Sequence, residues 1–209
     1  MIKAIVLDLG GVLIDLDLQS CKNAFKENLG FNKIDEILDP YHQKGIYSDL
    51  EEGLITVDEF RAAVLRDSRP GSRPEDVDRS MDALLSGMNP GKVPFLKSLC
   101  KRYPLYALSN NNPIAMAAFH RIYEKNGMDY REVFTKEFLS FELKMLKPSL
   151  EIYREVVRLI GLPAEELLFV DDSIDNVEAA RAVGMNAVQY IQGTDLPATI
   201  ENALAGIDR

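Results

Sequence analysis

Four places in the sequence bring together residue types that can handle a charged oxyanion. Asp8 ends the apolar run AIVLD and precedes the glycine pair Gly10 and Gly11; Ser109 and Asn110 close LYALSN; Lys147 stands before Pro148 in LKP; Asp171 and Asp172 close LLFVDD. Two carboxylate sites, a hydroxyl beside an amide, and an ammonium suit a divalent cation and a phosphoryl group. Each has a plainer use on its own: Asp8 could cap the turn at the glycines, Ser109 and Asn110 could open a turn, Asp172 or Ser173 could cap a helix, and Lys147 could be a solvated charge. Position favours the joint reading, because the carboxylates all end strand-like runs. Adjacent acids near a third would repel unless a cation sat among them, and a few hard oxygen ligands favour Mg²⁺.

The elements that must position these groups are short. The apolar runs at 4–8, 105–109, 167–171 and 186–190 read as parallel strands buried on both faces, with a further short strand near 135–140. Helical patterns alternate with them. Ile152, Val156, Leu159 and Ile160 form one stripe between Ser149 as N-cap and Gly161 as terminator. The alternation predicts an α/β fold with a doubly wound parallel sheet, in which ligands bind beyond the carboxyl ends of the strands.

Roughly ninety residues separate the first two strands, far more than one crossover helix needs. Their pattern is helical. TVDEFRAAVLRD opens with a Thr56/Glu59 capping box and turns Phe60 and Val64 to one face. In RPEDVDRSMDALLSG, Pro74 lies near a helix start, Val77, Met81, Leu84 and Leu85 point inward, and Gly87 ends the helix. The expected organisation is a core of residues 1–14 and 91–209 with an inserted all-helical cap at 15–90. No repeat period appears.

A chain of 209 residues, 46% hydrophobic and 27% charged, suits one folded body of core and insert. A net charge of -9 without a basic cluster argues against nucleic acid. AIVL is too short for a signal segment or a membrane span. Cys21 and Cys100 lack metal-ligand spacing and read as free thiols, which with the missing signal predicts a cytoplasmic location. His42 and His120, the two histidines, read as surface or packing residues.

The ordered set VLDLGGVL, ALSN, LKP and FVDDSIDN resembles the four motifs of the haloacid dehalogenase superfamily, in the subclass whose helical cap follows motif I directly. The resemblance implies hydrolysis of a small phosphorylated metabolite with Asp8 as nucleophile, forming an aspartyl-phosphate. It implies Mg²⁺ on Asp8, the Gly10 carbonyl and the motif IV acids. Asp172 is the favoured direct ligand, with Asp171 direct or through water, or the order reversed. Ser109, Asn110 and Lys147 would hold the remaining phosphate oxygens through hydroxyl, backbone N–H and ammonium. Asp175 either orients Lys147 or serves the helix dipole, and Asn176 is a partner of the site or an ordinary helix residue.

One position departs from the pattern. Most phosphatases of the superfamily carry a second Asp two residues after the nucleophile, as proton donor to the leaving alcohol; here it is Gly10. A subgroup resembling bacterial α-D-glucose-1-phosphate phosphatase also has glycine there, which implies a sugar phosphate or another small phosphorylated metabolite as substrate. Two alternatives stand beside it. One is a metal-independent 2-haloacid dehalogenase, against which Asp171 and Asp172 count; the other is a catalytically weak phosphate-metabolite binding protein. Asp15 and Asp17 are candidate replacement acids but read better as solvated linker residues. In LEEGLITVDEF, Glu52 is the expected substrate contact from the cap.

Overall fold

In chain order the strands are β1 (Ala4–Leu7), β2 (Asp15–Leu16), β3 (Leu85–Gly87), β4 (Leu105–Ser109), β5 (Lys136–Leu139), β6 (Leu167–Asp171) and β7 (Asn186–Gln189). The structure is a computed structural model and describes residues 1–39 and 43–207, so His42 lies outside the described residues. Five strands form a parallel sheet in the order β5-β4-β1-β6-β7. The central strand has Ile5 in register with Leu105 on one side and Leu168 on the other. The chain therefore winds outward from β1 in both directions, and the C-terminal end of β1 is the switch point where open α/β sheets bind ligands.

The run at 186–190 forms the half-buried edge strand β7 rather than one buried on both faces. The other three form the inner strands β4, β1 and β6, whose faces are both covered. Ile5 and Leu7 pack into a cluster with Leu96, Phe119 and Ile200, whereas Ala4 and Val6 pack into a second with Ile152, Val156 and Ala180. Burial on both sides explains why these strands show no polar alternation.

The helices of the insertion are α1 (Leu18–Ala24), running into a π turn at Phe25–Leu29, then α2 (Ile34–Ile37), α3 (Gly45–Glu51), α4 (Val57–Arg66) and α5 (Pro74–Asp82). Those of the sheet layers are α6 (Lys92–Leu99), α7 (Pro113–Lys125), α8 (Tyr130–Val133), α9 (Ser140–Leu143), α10 (Leu150–Ile160), α11 (Ile174–Ala182) and α12 (Leu196–Ile207). The Thr56/Glu59 capping box forms at α4, and Pro74 opens α5. The insertion has its own apolar cluster, including Cys21, Phe25, Tyr47, Phe60 and Met81, joined by Ile114 from α7. No helix of the described residues is long and apolar enough to cross a membrane.

Three further local expectations are corrected. The helix starting at Pro74 ends at Asp82 rather than Gly87, because Leu85–Gly87 pairs antiparallel with Asp15–Leu16 and the Leu84 carbonyl accepts from Asp17 N–H at 2.8 Å. Leu159 is 36% exposed on the outer side of the last turn of α10, while Ile152 and Val156 are fully buried. Asp15 and Asp17 are tied down rather than free linker charges. Asp17 N-caps α1 through Ser20 N–H, and Asp15 lies 3.3 Å from the buried Lys92 ammonium, which also donates to the Val12 carbonyl at 2.8 Å.

Candidate active site

Asp8 is the first residue beyond β1, Ser109 ends β4 and Asp171 ends β6, so three adjacent strands deliver their polar ends to one edge. Lys147 comes from the loop before α10. Its ammonium lies 3.0 Å from Asp8 Oδ1 and 2.6 Å from Asp171 Oδ2, and donates to the Leu108 carbonyl at 3.1 Å. Burial alone would lower the Lys147 pKa, but Asp171 and Asp8 outweigh it and hold the ammonium above its ordinary range.

Asp171 and Asp172, adjacent in sequence, have different surroundings. Asp171 is fully buried and its oxygens are all engaged: Oδ1 accepts from Ser173 N–H and from Asn176 Nδ2, both at 2.9 Å, and Oδ2 accepts from Lys147. Asp172 is half-buried and faces the cleft with its carboxylate against the Gly11 backbone. Asn176 is thus a partner of the site rather than an ordinary helix residue. Asp175 is exposed in the first turn of α11.

Asn110 acts through its side chain on another site residue. Its Oδ1 accepts from Lys147 N–H at 2.8 Å and its Nδ2 donates to the Lys147 carbonyl at 2.9 Å. The amide clamps the Lys147 backbone, which leaves the Asn110 N–H for a ligand; the buried Ser109 hydroxyl makes a long 3.4 Å hydrogen bond to the Asn110 carbonyl.

The glycine pair divides two tasks. Gly11 has φ +76°, and a Cβ there would overlap the Asp172 carboxylate, so only glycine serves. Gly10 has no such backbone demand; a Cβ there would come 3.1 Å from Leu16 Cδ1. Leu16 fills the space that a side chain at position 10 would take.

Oxygens of Asp8, Asp171 and Asp172 all lie within 4.8 Å of one another. An all-oxygen acidic donor set of this size fits a small hard cation such as Mg²⁺. Burial first and the neighbouring acids second raise the pKa of Asp8 and bring that of Asp172 to about 6.

The cleft over this edge has a cavity of about 100 Å³, and the insertion supplies one wall through Leu16, Leu18, Gln43, Tyr47, Glu51, Leu84 and Leu85. Glu52, the expected contact from the cap, does not line it; it caps the C-terminus of α3, and Glu51 faces the cleft instead. The signal was helical register: Tyr47 and Leu50 mark the buried face of α3, and Glu51, four residues after Tyr47, shares it. Glu51 is buried, and burial raises its carboxyl to about 8, with Lys147 opposing and Asp8 adding. Asn111 and Asn112 also line the cleft; Asn112 N-caps α7 through Ala115 N–H at 3.0 Å. His120 is a packing residue, stacked on Tyr130 at 4.0 Å. Cys21 and Cys100 are free thiols.

A doubly wound sheet with Asp8, Ser109, Lys147 and the acid pair at its switch point defines a hydrolase of the haloacid dehalogenase type. Residues 2–184 match the model of the haloacid dehalogenase-like hydrolases, and the chain belongs to that family. It is 33% identical over 196 residues to the D-ribitol-5-phosphate phosphatase of Bacteroides thetaiotaomicron, covering 93% of this chain and 95% of that protein. Two solved structures share the fold closely. A haloacid dehalogenase family enzyme of B. thetaiotaomicron, crystallised as an aspartate-to-alanine variant with magnesium and inorganic phosphate, superposes with a TM-score of 0.88 at 32% identity, over 93% of this chain and 96% of that one. A predicted HAD-like family hydrolase of Porphyromonas gingivalis gives 0.89 at 32% identity, over 98% of both chains.

Proposed function

We propose that the protein is a Mg²⁺-dependent phosphatase of a small phosphorylated metabolite, a sugar or polyol phosphate. The observation that carries this reading is the convergence of Asp8, Asp172 and Lys147 at the end of β1, with an Asp8 oxygen 3.0 Å from the Lys147 ammonium. The similarity to a D-ribitol-5-phosphate phosphatase favours a linear polyol phosphate beside α-D-glucose 1-phosphate. A wall with both leucines and the polar Gln43 suits a short polyhydroxylated chain. The free thiols fit a reducing compartment, so a cytoplasmic location belongs to the proposal.

In this reading Asp8 attacks phosphorus, and Ser109 Oγ, Asn110 N–H and the Lys147 ammonium hold the phosphate oxygens as charge moves onto them. Asp8, the Gly10 carbonyl and Asp172 would hold Mg²⁺, which when bound neutralises charge on the phosphoryl group. Asp171 holds Lys147 in place and leaves direct ligation to Asp172. Residues 15–90 act as the cap, closing the cleft to bulk water and contacting the substrate away from its phosphate.

The test is phosphate release from a panel including D-ribitol 5-phosphate and α-D-glucose 1-phosphate, with Mg²⁺ and with a chelator. Release should require Mg²⁺ and vanish in Asp8→Asn, an amide of nearly the same shape. Undiminished turnover by Asp8→Asn, or halide release from a 2-haloacid in the presence of chelator, would overturn the reading.

A further inference from the structure

We propose that Glu51 is the general acid and base of this active site, moving the proton that Gly10 cannot. The inference rests on the phosphatase reading and deepens it. Three residues lining the cleft, among those described, carry carboxyl groups: Asp8, Asp172 and Glu51. Asp8 is engaged by Lys147 and Asp172 belongs to the acidic cluster. Glu51 makes neither a hydrogen bond through its carboxyl nor an ion pair among the described residues, and it reaches the cleft from the wall opposite the sheet edge.

Its helix is fastened to the sheet layer. Ser140 Oγ, at the start of α9, donates to the Glu51 carbonyl at 2.5 Å and accepts from Asn111 N–H at 2.9 Å. The Lys144 ammonium donates to the Gly53 carbonyl. Gly53 has φ +67° and no room for a Cβ against the Phe141 carbonyl, so the approach is close. A chain of contacts from the loop after Ser109 through Ser140 thus fixes the backbone of Glu51 at the wall of the cleft that Asp8 also lines. Positioned groups of this kind are what proton transfer requires.

The charged and titratable groups facing Glu51 are Lys147 and Asp8 from the sheet edge and Tyr47 on its own helix. Burial favours the protonated carboxyl near neutral pH. In the first displacement an Asp8 oxygen bonds to phosphorus, the ester P–O bond breaks with its electron pair going to the leaving oxygen, and Glu51 gives that oxygen its proton to make the alcohol. In the second, water attacks the phosphoryl group, Glu51 takes a proton from it, the P–O bond to Asp8 breaks, and inorganic phosphate leaves with Asp8 and Glu51 restored.

The experiment follows single turnovers and steady state of the Mg²⁺-loaded protein and Glu51→Gln on two esters. One is p-nitrophenyl phosphate, whose phenolate leaves unprotonated; the other is D-ribitol 5-phosphate, or the alkyl phosphate the panel prefers. For the alkyl ester, Glu51→Gln should slow the first turnover by roughly a hundredfold or more with KM little changed. For the aryl ester the first turnover should persist as a burst of nitrophenolate followed by slow turnover, because only the second step then lacks its base. Equal slowing of the first turnover on both esters, absence of the burst, or no loss on either would overturn the role of Glu51 while leaving the phosphatase reading intact. Failure of the unaltered protein to hydrolyse either ester would instead overturn that reading, and this role with it.

Discussion

The Lys147 ammonium and Asp171 Oδ2 are 2.6 Å apart, and both side chains are almost wholly removed from water. A buried pair of this kind fixes geometry more surely than it adds net stability, because each ion has lost its hydration. Here it holds an ammonium at the end of the central strand, where the ligand's phosphate is proposed to bind. Asp171→Ala leaves Lys147 with Asp8 and the Leu108 carbonyl and also strands the Ser173 N–H. Removing one member of a buried pair costs about 3 kcal/mol or more. Urea denaturation should show a loss of that order, and a variant as stable as the parent would contradict the positioning role of Asp171.

Asp172 should behave oppositely. It faces the cleft among like charges, so Asp172→Asn relieves repulsion in metal-free protein and its melting temperature should hold or rise. Magnesium affinity, read by titration calorimetry, should fall by more than tenfold if, as proposed, Asp172 is a direct ligand, because its carboxylate becomes a neutral amide. A drop in stability matching that of Asp171→Ala, with metal affinity kept, would exchange the two assignments.

The glycine pair yields a paired comparison. Gly11→Ala forces a side chain into a left-handed backbone and onto the Asp172 carboxylate, so a cost of about 2 kcal/mol or more is expected. Gly10→Ala meets only the movable end of Leu16 and should cost well under half of that. Thermal melts of the two variants decide it; similar losses would show that both glycines serve the backbone.

Much of this arrangement was legible in sequence, for a physical reason. Strands such as Ala4–Leu7 are buried on both faces, so their apolar runs and the polar residues ending them stand out. The ribbon of Asp15–Leu16 with Leu85–Gly87 did not stand out, because two or three residues carry no period and their pairing is long-range. Glu51 rather than Glu52 lines the cleft because the end of α3, which two adjacent acids do not mark in the sequence, decides which of them turns inward. The clamp of Asn110 on the Lys147 backbone exists only once two loops distant in sequence meet.

The last prediction concerns Glu51 and pH. In the folded metal-free protein its carboxyl is raised from 4.5 to about 8, with burial the leading cause. Between those values the folded state holds a proton that the unfolded chain has released, so the Glu51 contribution to stability declines as pH rises through that window. Below it both states are protonated and the contribution is complete; above it the folded state bears a buried charge and the loss levels off. Glu51→Gln keeps the shape and cannot ionise. The stability of the variant minus that of the parent should therefore grow more favourable from acid toward about pH 8 and flatten beyond, measured by urea denaturation in chelator. The amide should help least at acid pH, where the parent already carries a neutral carboxylic acid. A difference that stays constant across the window would show that Glu51 titrates as it does in the unfolded chain.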